Sequence, residues 1–275
     1  MKKIVSVIVL LIIKIGFSQT DYILFPGKLN IQPFTANLLE PRMGVVFQLN
    51  NNELNLNISN SQDILHIIKI DSSVFSIGAD FFTYSLLRAE KDFHFPVDAI
   101  DYLFGLNTGY RKQSGYIEYG GRLRLSHISA HFVDGHFNHQ TNTWRDGRDP
   151  MVYSREFIEF IPYFKMKDIR WYIGYTYIFH IDPAYLGKNS FQLGFDYYFA
   201  NILGHYFYPF IGYDLKFIKV RKYSGNNSFY AGIKFGYSYS RGFSIFYNYY
   251  SGNNIQGEYF DYKSTFNAIG FNLDL

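Results

Sequence analysis

The chain has 275 residues, no cysteine, 21% aromatic residues and a formal net charge of +3. The lack of cysteine excludes a disulfide scaffold, a thiol nucleophile and a thiolate zinc site. Mean hydropathy near zero excludes a bundle of membrane helices, and 48% hydrophobic residues exclude a disordered chain.

Residues 1–18 read as a secretory signal peptide. Lys2 and Lys3 precede an apolar run, and Gly16 and Ser18 supply small residues ahead of Gln19. Lys14 cuts the run too short for a bilayer-spanning anchor. Without Lys2, Lys3 and Lys14 the 26 basic residues fall to 23, equal to the acidic ones, so nothing marks nucleic acid as a partner. Residues 19–42 carry Pro26, Pro33 and Pro41, which predicts an extended N-terminal segment. From 43 to 275 the pattern has period two. Strands are expected at 44–49 and 53–58, with 64–70 ambiguous between strand and helix. Further strands are expected at 74–87, 98–111, 116–133, 153–165, 169–180, 191–201, 206–218, 228–239, 243–250 and 265–275.

The alternation identifies two unlike faces. In 228–239, Phe229, Ala231, Ile233, Phe235, Tyr237 and Tyr239 oppose Ser228, Tyr230, Gly232, Lys234, Gly236 and Ser238. In 169–180, Ile169, Trp171, Ile173, Tyr175, Tyr177 and Phe179 oppose Arg170, Gly174, Thr176 and His180. Short connections at 112–114, 167–168, 203–205 and 240–241 alternate with longer ones at 134–152, 181–190, 219–227 and 251–264. Together these predict an all-β transmembrane antiparallel β-barrel of about 12 strands, within a range of 10–14, in the cell outer membrane. Closure lets every backbone group pair, which is what allows strands to cross hydrocarbon. Glu118, Arg122, Arg124, Arg155, Glu159, Arg170, Asp196, Asp214, Lys216 and Lys234 would point inward, filling a narrow lumen with paired charges. Pro162 should mark a bulge or strand end. A monomer is expected, with outer-membrane lipids and an unidentified extracellular ligand as partners.

The chemistry concentrates at the end of strand 116–133 and in the polar loop after it. Ile117, Tyr119, Leu123 and Leu125 form the lipid side, and continued without a bulge that side carries His127, Ser129 and His131. A bulge would instead turn them inward. His and Ser at i, i+2 share a face, so His127 can serve as base toward a Ser129 nucleophile. Glu156, in Tyr153-Ser-Arg-Glu156, has the parity to orient His127 across the hairpin. An oxyanion site would need backbone amides. No organic cofactor is called for; a divalent cation is the one group that could assist. A second reading takes His131, Asp134, His136 and His139 as metal ligands. Arg145-Asp-Gly-Arg-Asp149 reads as a loop turn with local ion pairs.

His127-Ile128-Ser129 resembles the His-x-Ser of outer-membrane phospholipase A and of lipid A deacylase. That resemblance implies a pair on the outer barrel surface whose histidine is oriented by a third polar residue. The chain departs from the phospholipase pattern at Ala130-His131, where Asn-Gly is expected. More widely, Leu39-Glu-Pro-Arg42, Ser126-His-Ile-Ser-Ala-His131 with Asp134, and Tyr153-Ser-Arg-Glu156 resemble an uncharacterised family of Gram-negative outer-membrane proteins. This implies a barrel and its location, and assigns no activity. The leading expectation is a structural, binding or transport barrel. Its rival is a surface-facing acyl hydrolase of phospholipid or lipid A using Ser129, His127 and Glu156.

Overall fold

A computed structural model describes residues 20–200, 202, 204 and 206–274; the signal peptide expected at 1–18 lies outside them. The chain forms β1 (Asp21–Leu24), β2 (Met43–Gln48), β3 (Glu53–Ile68), β4 (Val74–Arg88), β5 (Val97–Ser114) and β6 (Ile117–Phe132). Two short strands follow in one loop, β7 (Phe137–Asn138) and β8 (Thr143–Trp144). The wall resumes with β9 (Tyr153–Met166), β10 (Ile169–Asp182), β11 (Asn189–Tyr198) and β12 (Phe207–Lys219), then β13 (Tyr223–Gly236), β14 (Gly242–Asn253) and β15 (Lys263–Asp274).

Each wall strand pairs antiparallel with its neighbours, and β15 closes onto β2 through Phe271↔Val45 and Ile269↔Phe47. Twelve strands therefore form a closed barrel: β2 to β6 and β9 to β15. The ambiguous stretch at 64–70 is largely the far end of β3, which bulges between Asp63 and Leu65. Pro162 marks neither a bulge nor an end. It sits opposite Gly121 in an unshifted register, and on the other side the β9–β10 ladder skips Ile161 and Pro162 without slipping. The missing proline N–H costs only local pairing.

The two faces separate as the alternation requires. Phe104, Leu106, Leu125, Phe160, Ile173, Phe191, Ile245 and Phe271 are exposed on the outer surface, whereas Arg122, Arg124, Glu159, Arg170, Asp196, Asp214 and Lys234 are buried within. An apolar outer band of this extent is unstable against water and matched to lipid. Long segments at 133–152 and 254–262 mark one end, here the loop end, and turns at 115–116 and 167–168 mark the other. The expected length alternation reverses at two connections. β12 and β13 extend until only 220–222 joins them, while 199–206 links β11 to β12. The expected short turn at 203–205 lies partly outside the described residues.

The N-terminal segment is more than extended chain. β1 pairs with the far half of β3 (Asp21↔Ile68) and β2 with the near half (Met43↔Ile58). The intervening residues 25–42 leave the wall and fill the lumen, where Ile31, Phe34, Ala36, Asn37 and Glu40 are buried. With three prolines this segment cannot satisfy its own backbone, so the wall does so with arginines. Arg170 donates to the carbonyls of Gln32 (2.8 Å) and Pro33 (2.5 Å), and Arg124 to that of Leu39 (2.9 Å). Thr35 N–H donates to Asp196 (2.9 Å), Asn30 N–H to Asp63 (2.6 Å), and Arg122 to Glu40 (2.8 Å). The Phe34 ring lies under the guanidinium of Arg170, 4.4 Å from its centroid. The paired interior charges expected from sequence are present, and the plug supplies one of the carboxylates.

Above the plug remains a cavity of about 160 Å³, bounded by Leu39 and Arg42 below and by Gln256, Gly257 and Phe260 of the 254–262 loop above. Gly257 N–H donates to Asp101 (2.8 Å), and a Cβ there would sit 2.6 Å from the Ala130 Cβ. Only glycine lets the loop descend this far. Beside it, burial pushes the Glu258 carboxyl above the usual range, against the pull of the Met151 N–H. With the lumen filled, purified barrel should be silent in a planar bilayer. Deletion of residues 26–41 from folded protein should give stepwise ion conductance; a deletion variant as silent as the parent would show that the plug does not seal the pore.

Candidate functional site on the outer surface

The β5–β6–β9–β10 wall brings the candidate residues together near the loop end. Along β6 the register is unshifted against both neighbours, Phe104↔His127 and Tyr102↔Ser129 on one side, His127↔Glu156 and Ser129↔Ser154 on the other. No bulge intervenes, so Ile128 and Ala130 are buried inside and His127, Ser129 and His131 lie on the outer surface.

Directly opposed residues on one face of a sheet have Cβ atoms roughly 5 Å apart, a separation that a Glu and a His side chain can close. His127 Nδ1 lies 2.5 Å from Glu156 Oε1. The ring also packs on Phe104, with centroids 4.9 Å apart. An Nδ1–H donated to the carboxylate leaves Nε2 as the lone-pair nitrogen, the tautomer a general base requires. Ser129 is two residues along the same face, and its hydroxyl has no hydrogen-bond partner among the described residues, so no hydrogen bond fixes its χ1. The His127–Ser129 hydrogen bond is not formed in this state.

Two further side chains, both overlooked by the sequence reading, belong to this cluster. Ser154 stands directly opposite Ser129. His180 Nδ1 lies 2.5 Å from Glu156 Oε2. Strict alternation had placed His180 on the inward face. Instead the β9–β10 register shifts between Ile178 and His180, leaving Phe179 as the extra residue and turning His180 outward. The sequence carries a signal for this: Ile178 and Ile181 are apolar and three residues apart, a spacing that a period of two cannot put on one face, and the structure buries both.

The proposed metal set does not assemble. His131 points outward near Tyr102, with ring centroids 6.0 Å apart. The 3-10 turn Asp134–His136 directs His136 inward, where it stacks on Phe132 at 4.3 Å and lies 3.4 Å from Asp98. His139 is carried off by the β7–β8 hairpin and packs edge-on to Phe137. Among the described residues no group of three or more His, Asp or Glu is arranged to hold a metal. The Arg145–Asp149 run also differs from expectation, since Arg148 pairs across to Asp261 (3.0 Å) and covers the Tyr262 ring at 4.9 Å. It ties one loop to the next.

Comparison with known proteins gives a family. The family described as "Protein of unknown function (DUF1207)" matches residues 99–274, more than half of the chain. The chain belongs to this family. The matched region includes His127, Ser129, Glu156 and His180, and leaves the plug and β1–β4 outside. Among curated proteins none matches. Among solved structures, the chain is similar to outer membrane phospholipase A from Escherichia coli, with 11% identity and a TM-score of 0.53, covering 90% of this chain and 94% of that one. An active-site mutant of the same enzyme at pH 6.1 gives 13% identity and a TM-score of 0.52, covering 90% and 92%. At these identities the likeness establishes the fold alone, an outer-membrane-type barrel.

Proposed function

We infer that the protein is a monomeric outer-membrane acyl hydrolase of Gram-negative cells, cleaving ester-linked acyl chains of phospholipid or lipid A at its outer surface. The observation carrying this reading is the His127–Glu156 hydrogen bond on the apolar outer face, with a free serine hydroxyl two residues along. In the first step Ser129 Oγ attacks the ester carbonyl while His127 Nε2 takes its proton. The C–O bond then breaks, and His127 returns that proton to the departing alcohol, leaving an acyl-Ser129 ester. Water, deprotonated by the same imidazole, releases the fatty acid. Glu156 holds the ring and balances its charge. Exposed Phe104, Leu106, Leu125, Ile158 and Phe160 flank the cluster and offer an apolar surface for the acyl chain. Strand amides are engaged in the ladder, so the hydroxyl of Ser154 is the candidate donor to the oxyanion, with a divalent cation as an assisting group. Ser154→Ala should therefore lower kcat by about 100-fold, read as fatty-acid release; an unchanged kcat would remove Ser154 from the site.

The test is turnover. Purified protein in detergent micelles is given phospholipid or lipopolysaccharide, with and without calcium, and released fatty acid is measured by mass spectrometry. Absence of turnover with every combination rules the reading out. A non-enzymatic binding barrel is the second reading, favoured by the cavity between plug and loop. The filled lumen counts against transport through an open pore.

A further inference from the structure

We propose that His180 is a positioning residue of the outer site, fixing the carboxylate of Glu156 so that Glu156 in turn fixes His127. The proposal rests on the hydrolase reading and extends it to a fourth residue. A glutamate has three rotatable side-chain bonds, and a single hydrogen bond from His127 leaves the carboxylate free to swing about that contact. A second donor on the other oxygen removes the freedom, and His180 Nδ1 supplies it at 2.5 Å. The two imidazoles thus grip one carboxylate from β6 and β10, on either side of β9.

The backbone is arranged for this contact. His180 reaches the outer face only because β10 bulges at Phe179, and bulges re-aim side chains beside functional sites. The His180 side chain is 62% exposed, so it contributes little packing and its removal should leave the barrel intact. Stability therefore gives no account of an imidazole held there; orientation of Glu156 does.

The experiment compares His180→Ala and His180→Asn with the parent protein in micelles by two readouts. Asparagine places an amide N–H near the position of Nδ1 and keeps the donor without the ring. With dispersed phospholipid, His180→Ala should lower kcat about tenfold with KM within about twofold, and His180→Asn should recover most of the loss. Independently, the imidazole 15N resonances of His127 should show a fixed Nδ1–H tautomer in the parent and in His180→Asn, and tautomer exchange in His180→Ala. A His127 signal unchanged in His180→Ala, or His180→Asn behaving like His180→Ala, overturns the proposal. Should the parent show no turnover, the hydrolase reading falls while the imidazole readout still decides whether His180 holds the Glu156–His127 pair.

Discussion

Ser129→Ala is expected to lower fatty-acid release by at least about 1000-fold, while the folded barrel keeps its heat-modifiable mobility on a gel. The reason lies in how the site is divided between scaffold and chemistry. Ser129 is on the outer surface, its hydroxyl makes no hydrogen bond among the described residues, and it faces Ser154 and Tyr102 in an unshifted register. Its hydroxyl therefore carries none of the barrel's stability and, under the proposed mechanism, all of the covalent step. His127→Ala should cost a similar factor, because the base and the nucleophile act as a unit and their losses do not add. Glu156→Gln should cost less than either, since its single amide oxygen can still accept the His127 Nδ1–H, although it carries no charge and turns an NH2 group toward His180. Hydrolysis surviving Ser129→Ala at the parental rate would mean that any activity arises elsewhere.

The second large effect belongs to the lumen. Arg124 is fully buried and donates to Asp80 (2.9 Å), Glu159 (3.2 Å) and the Leu39 carbonyl of the plug (2.9 Å). Replacing it with alanine leaves two buried carboxylates without this cation and the plug without one of its anchors. Breaking a buried pair by removing one partner typically costs about 3–5 kcal/mol, so Arg124→Ala should lower unfolding stability by that amount in urea titrations of the micelle-bound protein. It should also make residues 25–42 accessible to protease. A loss below about 1 kcal/mol would mean that Arg122 and Lys216, which also approach Glu159, already compensate the acids and that the network is redundant.

The barrel was readable from the sequence because a closed membrane sheet imposes one rule on every strand: apolar residues out, polar residues in. Phe229 to Phe235 and Ile169 to Tyr177 obey it, and the inward placement of Arg122, Arg124, Arg170 and Asp196 follows from parity alone. Tyr239, expected on the outer face, lies past the end of β13 and turns inward, its ring 4.7 Å from that of Tyr198 and beneath the Arg170 guanidinium. The plug was not readable. Residues 25–42 have no period, and their partners are wall side chains far away in sequence, such as Asp196 for Thr35. The outward direction of His127 and Ser129 hung on whether β6 bulged, which one residue decides. His180 was misplaced for the same reason, with the bulge in β10 instead. The metal reading failed because adjacency along 131–139 says nothing of direction: a 3-10 turn sends His136 inward while β6 leaves His131 facing out.

The central claim is that Ser129 is a nucleophile activated by His127 on the outer barrel surface. Reaction with a lipid-like fluorophosphonate, followed by intact-protein and peptide mass spectrometry, tests it most directly. One covalent adduct per chain is expected, mapped to Ser129, lost in Ser129→Ala and strongly slowed in His127→Ala. No adduct on folded protein, or an adduct on other serines that ignores both substitutions, would contradict it.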